Sequence, residues 1–378
     1  MQSPQALPQI HKPVRRSRAD RYMLLTLLGF AGSVVVTRVF LELTGYPQVG
    51  NRELHIAHVL WGGLLLFIAA LLMLIFANRS TFAIGAIGGG IGVGLFIDEV
   101  GKFITKSNDY FYPAAAPIIY AFFLVTVMLY LQIARRKLGD PRSEMYAALD
   151  DLQDVIDHPL YEDERQELEH RLEHVFKNAQ HPDLAHLAET LLDYLRSDAF
   201  VLRQHQPTIW ERFVIAWHEW ESRWVNQRLY RFILVVGLFI VSVPALLESI
   251  STLVLIFSSG FVQEEYIGML ISEELTKTPN ELTWLVILVV LEGIVAIPSL
   301  IGALLLIVKQ DQRGIAAAAI GLIISLTTVN LLVFYFDQFL SLASTLTQFV
   351  VLMLVLHYRH RFMPNVLPQP KGIDLATM

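Results

Sequence analysis

Residues 283–308 read TWLVILVVLEGIVAIPSLIGALLLIV. The stretch holds one acid, Glu292, and no Lys or Arg. A hydrocarbon core of about 30 Å is crossed by about 20 apolar helical residues, so this segment is long enough to span a bilayer. Seven more stretches meet the same test: 22–43, 57–77, 82–103, 113–134, 229–257, 314–336 and 340–358. The chain as a whole is 54% hydrophobic and only 17% charged, with a mean hydropathy of +0.48. Soluble domains carry about 25% charged residues. The expected fold class is therefore all-α, a polytopic membrane helix bundle of about eight spans in two four-helix halves, with a helical insert between them.

The boundaries follow from where the apolar runs stop. Residues 1–20 form an N-terminal tail, 21–134 hold spans one to four, 135–228 form the insert, 229–358 hold spans five to eight, and 359–378 form a C-terminal tail. Lys and Arg gather at alternate connections: Lys12, Arg15, Arg16, Arg18 and Arg21 before span one, Arg79 after span two, Arg135, Arg136 and Lys137 after span four. Lys309 and Arg313 follow span six, and Arg359 and Arg361 follow span eight. Basic residues stay on the cytoplasmic side of short loops, so both termini and the insert are expected in the cytoplasm. Arg38 and Glu42 at the far end of span one argue against a cleaved signal peptide.

The insert carries 12 basic and 19 acidic side chains, which places most of the chain's negative charge there. It reads as helices over 143–156, 162–178, 182–197 and 208–228. In the last of these, Trp210, Trp217 and Trp224 share one helical face with Val214, and Trp220 stands at its margin. Such a face fits an interfacial helix lying on the membrane or packing against the rest of the insert. The expected partners are the lipid bilayer and a cytosolic protein at the insert. No basic run interleaved with aromatics points to nucleic acid.

The two halves read as a weak parallel repeat. In each, the second and third spans are joined by a short basic turn, and the third ends in aromatics followed by an acid: Phe96-Ile97-Asp98 and Tyr335-Phe336-Asp337. Counting back equally from Arg79 and Arg313 sets His58 opposite Glu292. Repeats of this kind place substrate sites between the halves in transporters.

Ionisable groups inside spans are costly and mark function. Glu292, Asp98, Glu248 and Asp337 are the candidate substrate- or ion-binding residues. At 1.5 Å per residue, Asp98 lies about 24 Å from the cytoplasmic end of its span, and Glu292 about 13 Å from the outer end of its own, near the midplane. His55, His58 and Glu99 add weaker candidate metal ligands beside Asp98. Each has a structural alternative. Arg38 and Glu42, like Asp98 and Lys102, are i,i+4 neighbours able to satisfy one another, and Glu99 is then expected to face elsewhere, into solvent. His55 and His58, one turn apart, also fit a polar edge at headgroup level. Span three carries Gly85, Gly88, Gly89, Gly90, Gly92 and Gly94. Small residues let backbones approach, so this span is expected at the centre, carrying Asp98 away from lipid.

Other chemistry finds little support. Cysteine is absent, which removes disulfides, thiolate metal sites and Cys nucleophiles. His170-Arg171-Leu172-Glu173-His174 matches the pattern H-x-x-E-H, but its helix is heavily charged and seven of the twelve histidines lie in the insert, so a solvated face accounts for it. The glycines of span three follow no strand and are not a nucleotide loop. Nothing in the sequence points to a cofactor.

The run Gly92-Val93-Gly94-Leu95-Phe96-Ile97-Asp98-Glu99-Val100-Gly101-Lys102-Phe103, followed by Asn108-Asp109-Tyr110-Phe111-Tyr112-Pro113, resembles a group of bacterial multi-pass membrane proteins to which no activity is attached. The resemblance covers the first four spans and implies a bacterial inner membrane. Two function classes remain: a transporter or channel-like protein with a proton or cation site among the intramembrane acids, and a non-transporting scaffold or sensor acting through the insert. A membrane-embedded metal-dependent hydrolase is a weaker third; the balance leans away from an enzyme.

Overall fold

The computed structural model describes residues 13–45, 57–110, 112–134, 139–157, 161–197, 225–257, 279–336 and 341–363, with Arg212 and Ala216. Every regular element among them is a helix. Among the described residues, eight segments are long and apolar enough to cross a membrane, as the hydropathy pattern requires. Two compact units account for the chain: residues 1–99 with 122–211, and residues 100–121 with 212–378.

The first unit holds α1 (Ala19–Thr44), α2 (His58–Ile75) and α3 (Arg79–Ile97). The central helix is α3, packed on both α1 and α2. Its glycines explain the position. A Cβ on Gly90 would stand 2.2 Å from the Thr26 carbonyl oxygen of α1. Gly62 of α2 and Gly92 of α3 meet reciprocally, each Cβ falling 2.7–2.8 Å from the other's carbonyl oxygen. Helices in lipid gain from this close backbone approach because apolar burial alone does not distinguish a helix neighbour from a lipid tail. The Tyr22 and Phe82 rings meet at the start of the parallel pair α1–α3, 6.1 Å between centroids. Gly45, in the left-handed region at φ 69°, ends α1.

The insert belongs to the same unit. Its described helices are α6 (Pro141–Asp157), α7 (Glu162–Asn178) and α8 (Pro182–Arg196). Leu168, Leu172 and Val175 of α7 face Ala188, Leu192 and Leu195 of α8, with Met145 and Ala148 of α6 closing a buried core. That spacing, one apolar residue per turn on one face, is what makes three short charged helices stable together. The Trp-rich helix expected over 208–228 lies largely outside the described residues.

The second unit begins with α4 (Val100–Ile104) and the first turns of α5 (Ala115–Ala134), whose later turns belong to the first. It continues with α9 (Gln227–Phe257), α10 (Pro279–Ile307), α11 (Asp311–Ile324), a π-helical segment Ser325–Val329, α12 (Asn330–Phe336) and α13 (Leu342–Phe362). Here α10 is central, packed on α9 and α11, while α13 contacts α9 and α11. Gly302 of α10 and Gly314 of α11 are reciprocal close contacts. The repeat read in the sequence is not reproduced in this packing: the third span is central in the first half and the second span in the second half.

Two expected spans are interrupted. The run 82–103 breaks at Asp98 and Glu99, which form a turn between α3 and α4. The run 314–336 contains the π segment. A π turn leaves backbone groups off the regular ladder, and the Tyr120 hydroxyl donates to the Leu326 carbonyl at 2.6 Å. Asn330, nearly fully buried, donates to Thr345 Oγ1 at 3.0 Å and to Gln348 Oε1 at 3.1 Å, binding the segment to α13.

Candidate functional site

The break at the end of α3 builds a buried cluster of charged side chains in the first unit. Consecutive residues of an unbroken helix point 100° apart. At the turn, both Asp98 and Glu99 reach one imidazole, that of His58 at the first position of α2. His58 Nε2 lies 3.1 Å from Asp98 Oδ2, and Nδ1 lies 3.2 Å from Glu99 Oε1. From α1, Arg38 donates through Nε to Asp98 Oδ1 at 2.5 Å and through Nη2 to the Asp98 carbonyl at 3.0 Å. Arg38, Asp98 and Glu99 are buried, at 5%, 0% and 1% exposure. His58 alone reaches outward, its side chain 23% exposed.

Several expectations change here. Arg38 does not stay with Glu42, which is exposed at the end of α1; it pairs with Asp98 across the bundle. Buried between helices, the guanidinium finds there a carboxylate shielded from competing water. Glu99 is not solvated, because the turn aims it inward at His58. Lys102 lies with its ammonium 5.1 Å over the Tyr110 ring.

The chemistry follows from donor counting. A neutral imidazole carries one N–H, so it can donate to only one of its two carboxylates. An imidazolium donates to both. With Arg38, His58, Asp98 and Glu99 all charged, the charges of these four side chains sum to zero, and it is paired charges that persist in a low dielectric. Removing one proton leaves these four side chains with one negative charge in excess. The arrangement thus offers more acceptors than a neutral imidazole can satisfy. It is poorly shaped for a metal: Asp98 and Glu99 lie at opposite ring nitrogens and do not converge on a common point, and no group of three ligating side chains suited to a metal ion occurs among the described residues. His55 lies outside the described residues.

The other candidate acids belong to the second unit. Glu292 is half-buried on α10. Beside it, Gly293 meets the buried Ser249 of α9, whose hydroxyl oxygen would fall 2.3 Å from an added Cβ. Glu248, next to Ser249, is exposed. Asp337 lies outside the described residues. An acid that sequence reading did not select, Asp311, accepts from Arg231 at 2.6 Å and from the Tyr358 hydroxyl at 2.7 Å, tying together the ends of α9, α11 and α13.

At the opposite end of α3 from the cluster, Arg79 meets the insert. Arg79 Nη2 lies 2.6 Å from Asp151 Oδ1 of α6, and the Ser17 hydroxyl donates to the same oxygen at 2.9 Å. Arg171 of α7 reaches Glu167 at 2.7 Å, Glu144 at 3.4 Å and Asp151 at 3.7 Å. Burial opposes its charge, but the hydrogen bond it donates to Glu167 and the field of the three acids outweigh burial and raise its pKa.

Fold and site together define an integral membrane protein of the polytopic helical class with a buried ionisable cluster. No protein-family model, curated protein or solved structure matches this chain.

Proposed function

We propose that this chain is a transporter or channel-like protein of a bacterial inner membrane, with its proton site at Arg38, His58, Asp98 and Glu99. The observation that supports the reading is His58 held between two buried carboxylates while its own ring stays partly open. Proton arrival and departure at that ring change the charge that faces Asp98 and Glu99, which couples movement of α2 against α3 to protonation. Glu292 remains the candidate acid for a coupled cation, because a half-buried carboxylate beside a close helix crossing is a costly feature in a span.

Proteoliposomes carrying an imposed pH gradient and a lumenal pH dye provide the test. Wild type should dissipate the gradient, and His58→Gln should slow this about tenfold or more, a barrier change of about 1.4 kcal/mol. Glu292→Gln should remove the dependence of flux on external cations and leave the protein folded. Flux identical in wild type and His58→Gln across the pH range would sink the reading.

A second reading, a proton-responsive sensor without transport, is favoured by one observation: α3 runs from the cluster at one end to the Arg79–Asp151 contact with the insert at the other. In that case wild type carries no flux. Instead, amide exchange in α6 changes with pH, and His58→Gln abolishes the change.

A further inference from the structure

A cleft of about 930 Å³ opens where the start of α1 and the α2–α3 turn meet α6 and α7 of the insert. Six arginines line it: Arg15, Arg16, Arg18, Arg21, Arg79 and Arg171. Five carboxylates share the lining: Asp20, Glu144, Asp151, Glu164 and Glu167. The two sets are not evenly matched in space. Arg18 pairs with Glu164 at 3.2 Å, and Arg79 and Arg171 engage Asp151, Glu144 and Glu167. Four of the five acids are thereby committed to holding the insert wall in place.

The other three arginines stand on the membrane-side wall. Arg15 and Arg21 are exposed and form no ion pair among the described residues. The Arg16 guanidinium lies 3.6 Å over the Phe82 ring, a contact that orients it without neutralising it. Asp20 is the lining acid left to face them. The mouth of the cleft therefore carries surplus positive charge in the form of guanidinium forks, whose geometry matches two oxygens of one phosphate.

Depth selects the source of that phosphate. Tyr22 and Phe82 begin the apolar course of α1 and α3; Arg21 adjoins Tyr22 in α1, Arg16 lies over the Phe82 ring, and Arg15 is its neighbour in the chain. That is the level of lipid headgroups. Just deeper, Leu28 and Ile84 are 59% and 61% exposed and offer an apolar flank to acyl chains.

We infer that this cleft binds a phosphate-bearing anion, and that an anionic phospholipid headgroup of the adjoining leaflet is its source. Binding there bridges the membrane helices and the insert, because one wall belongs to each.

The test uses the full chain, purified in a neutral detergent, stripped of lipid and titrated in native mass spectrometry. The probes are phosphatidylglycerol, phosphatidylcholine and inorganic phosphate. Wild type should bind phosphatidylglycerol about tenfold or more tightly than phosphatidylcholine. Arg15→Ala/Arg16→Ala/Arg21→Ala should lose that preference, since each basic residue near a charged surface contributes up to about fivefold in affinity. The triple Lys variant, which retains charge but not the forks, should fold normally and bind at an intermediate level. Displacement of the lipid by inorganic phosphate would overturn the lipid as source and assign the cleft to a soluble phosphate compound. Equal binding of the two lipids by wild type, or unchanged phosphatidylglycerol binding in the folded triple Ala variant, would overturn the site itself.

Discussion

Arg38 and Asp98 show how a buried ion pair can be hidden from a reading made along single helices. The i,i+4 neighbour Glu42 looked like the natural partner of Arg38, yet it is exposed. The better signal was register. Arg38 lies as far beyond Tyr22 as Asp98 lies beyond Phe82, and the Tyr22 and Phe82 rings are in contact. Parallel neighbours that meet at their starts meet again one span further on. Reading the spans in pairs would have joined Arg38 to Asp98, although it would not have identified which spans were neighbours. Breaking such a pair leaves an uncompensated buried charge, at a cost of about 3–5 kcal/mol. Asp98→Asn should therefore lower the thermal stability of the detergent-solubilised protein sharply, while Arg38→Met/Asp98→Asn should recover most of the loss. A double variant no more stable than Asp98→Asn alone would contradict the pairing. His58 was weighed in the sequence as a headgroup-level edge. Its contact with both acids depends on the chain turning at Asp98–Glu99, and no Gly or Pro within that pair marks the turn.

Among the elements, α3 was the most legible. Its glycines announced a central helix, and α1 and α2 both pack on it. What the pattern did not separate is which glycines do the packing. Gly90 sits against the backbone of α1, where a Cβ would meet the Thr26 carbonyl oxygen at 2.2 Å. Gly88, two residues away, has nothing within 4 Å of the same added atom. Backbone cannot yield as a flexible side chain does, so Gly90→Ala should cost about 1–3 kcal/mol through overpacking. Gly88→Ala should be neutral or stabilising by up to about 1 kcal/mol, since it relieves the helix of a flexible residue. Melting curves of the two variants in one detergent provide the comparison, and equal effects would contradict the α1–α3 contact. The π segment is the opposite case. Ser325-Leu326-Thr327-Thr328-Val329 contains neither Gly nor Pro, and its irregularity is sustained by bonds from residues distant in sequence, such as Tyr120.

At the scale of the whole molecule, hydropathy alone yields eight spans, because a 20-residue apolar helix leaves no other solution in a bilayer. Pairing between helices is set by close packing of small residues, which composition does not rank; the repeat suggested by matching turns accordingly fails to match in packing. Orientation rests on a different physical basis, the retention of Lys and Arg on the cytoplasmic side. Arg79, Lys309 and Arg313 mark turns that join neighbouring spans at this expected inner side, and the insert adjoins the first of them through Asp151. The segment around Asn108 joins the opposite ends of spans three and four. With no native cysteine, single engineered thiols report sidedness without background. Asn108→Cys and Gln312→Cys both occupy exposed positions, so access to reagent depends on the side of the membrane and not on burial. In intact cells, an impermeant maleimide should label Asn108→Cys and leave Gln312→Cys untouched until the membrane is permeabilised. The reverse pattern would invert the protein, moving the insert to the outer face. Three spans separate the two sites, so labelling of both in intact cells would require an even number of crossings between them and so remove one of the eight spans.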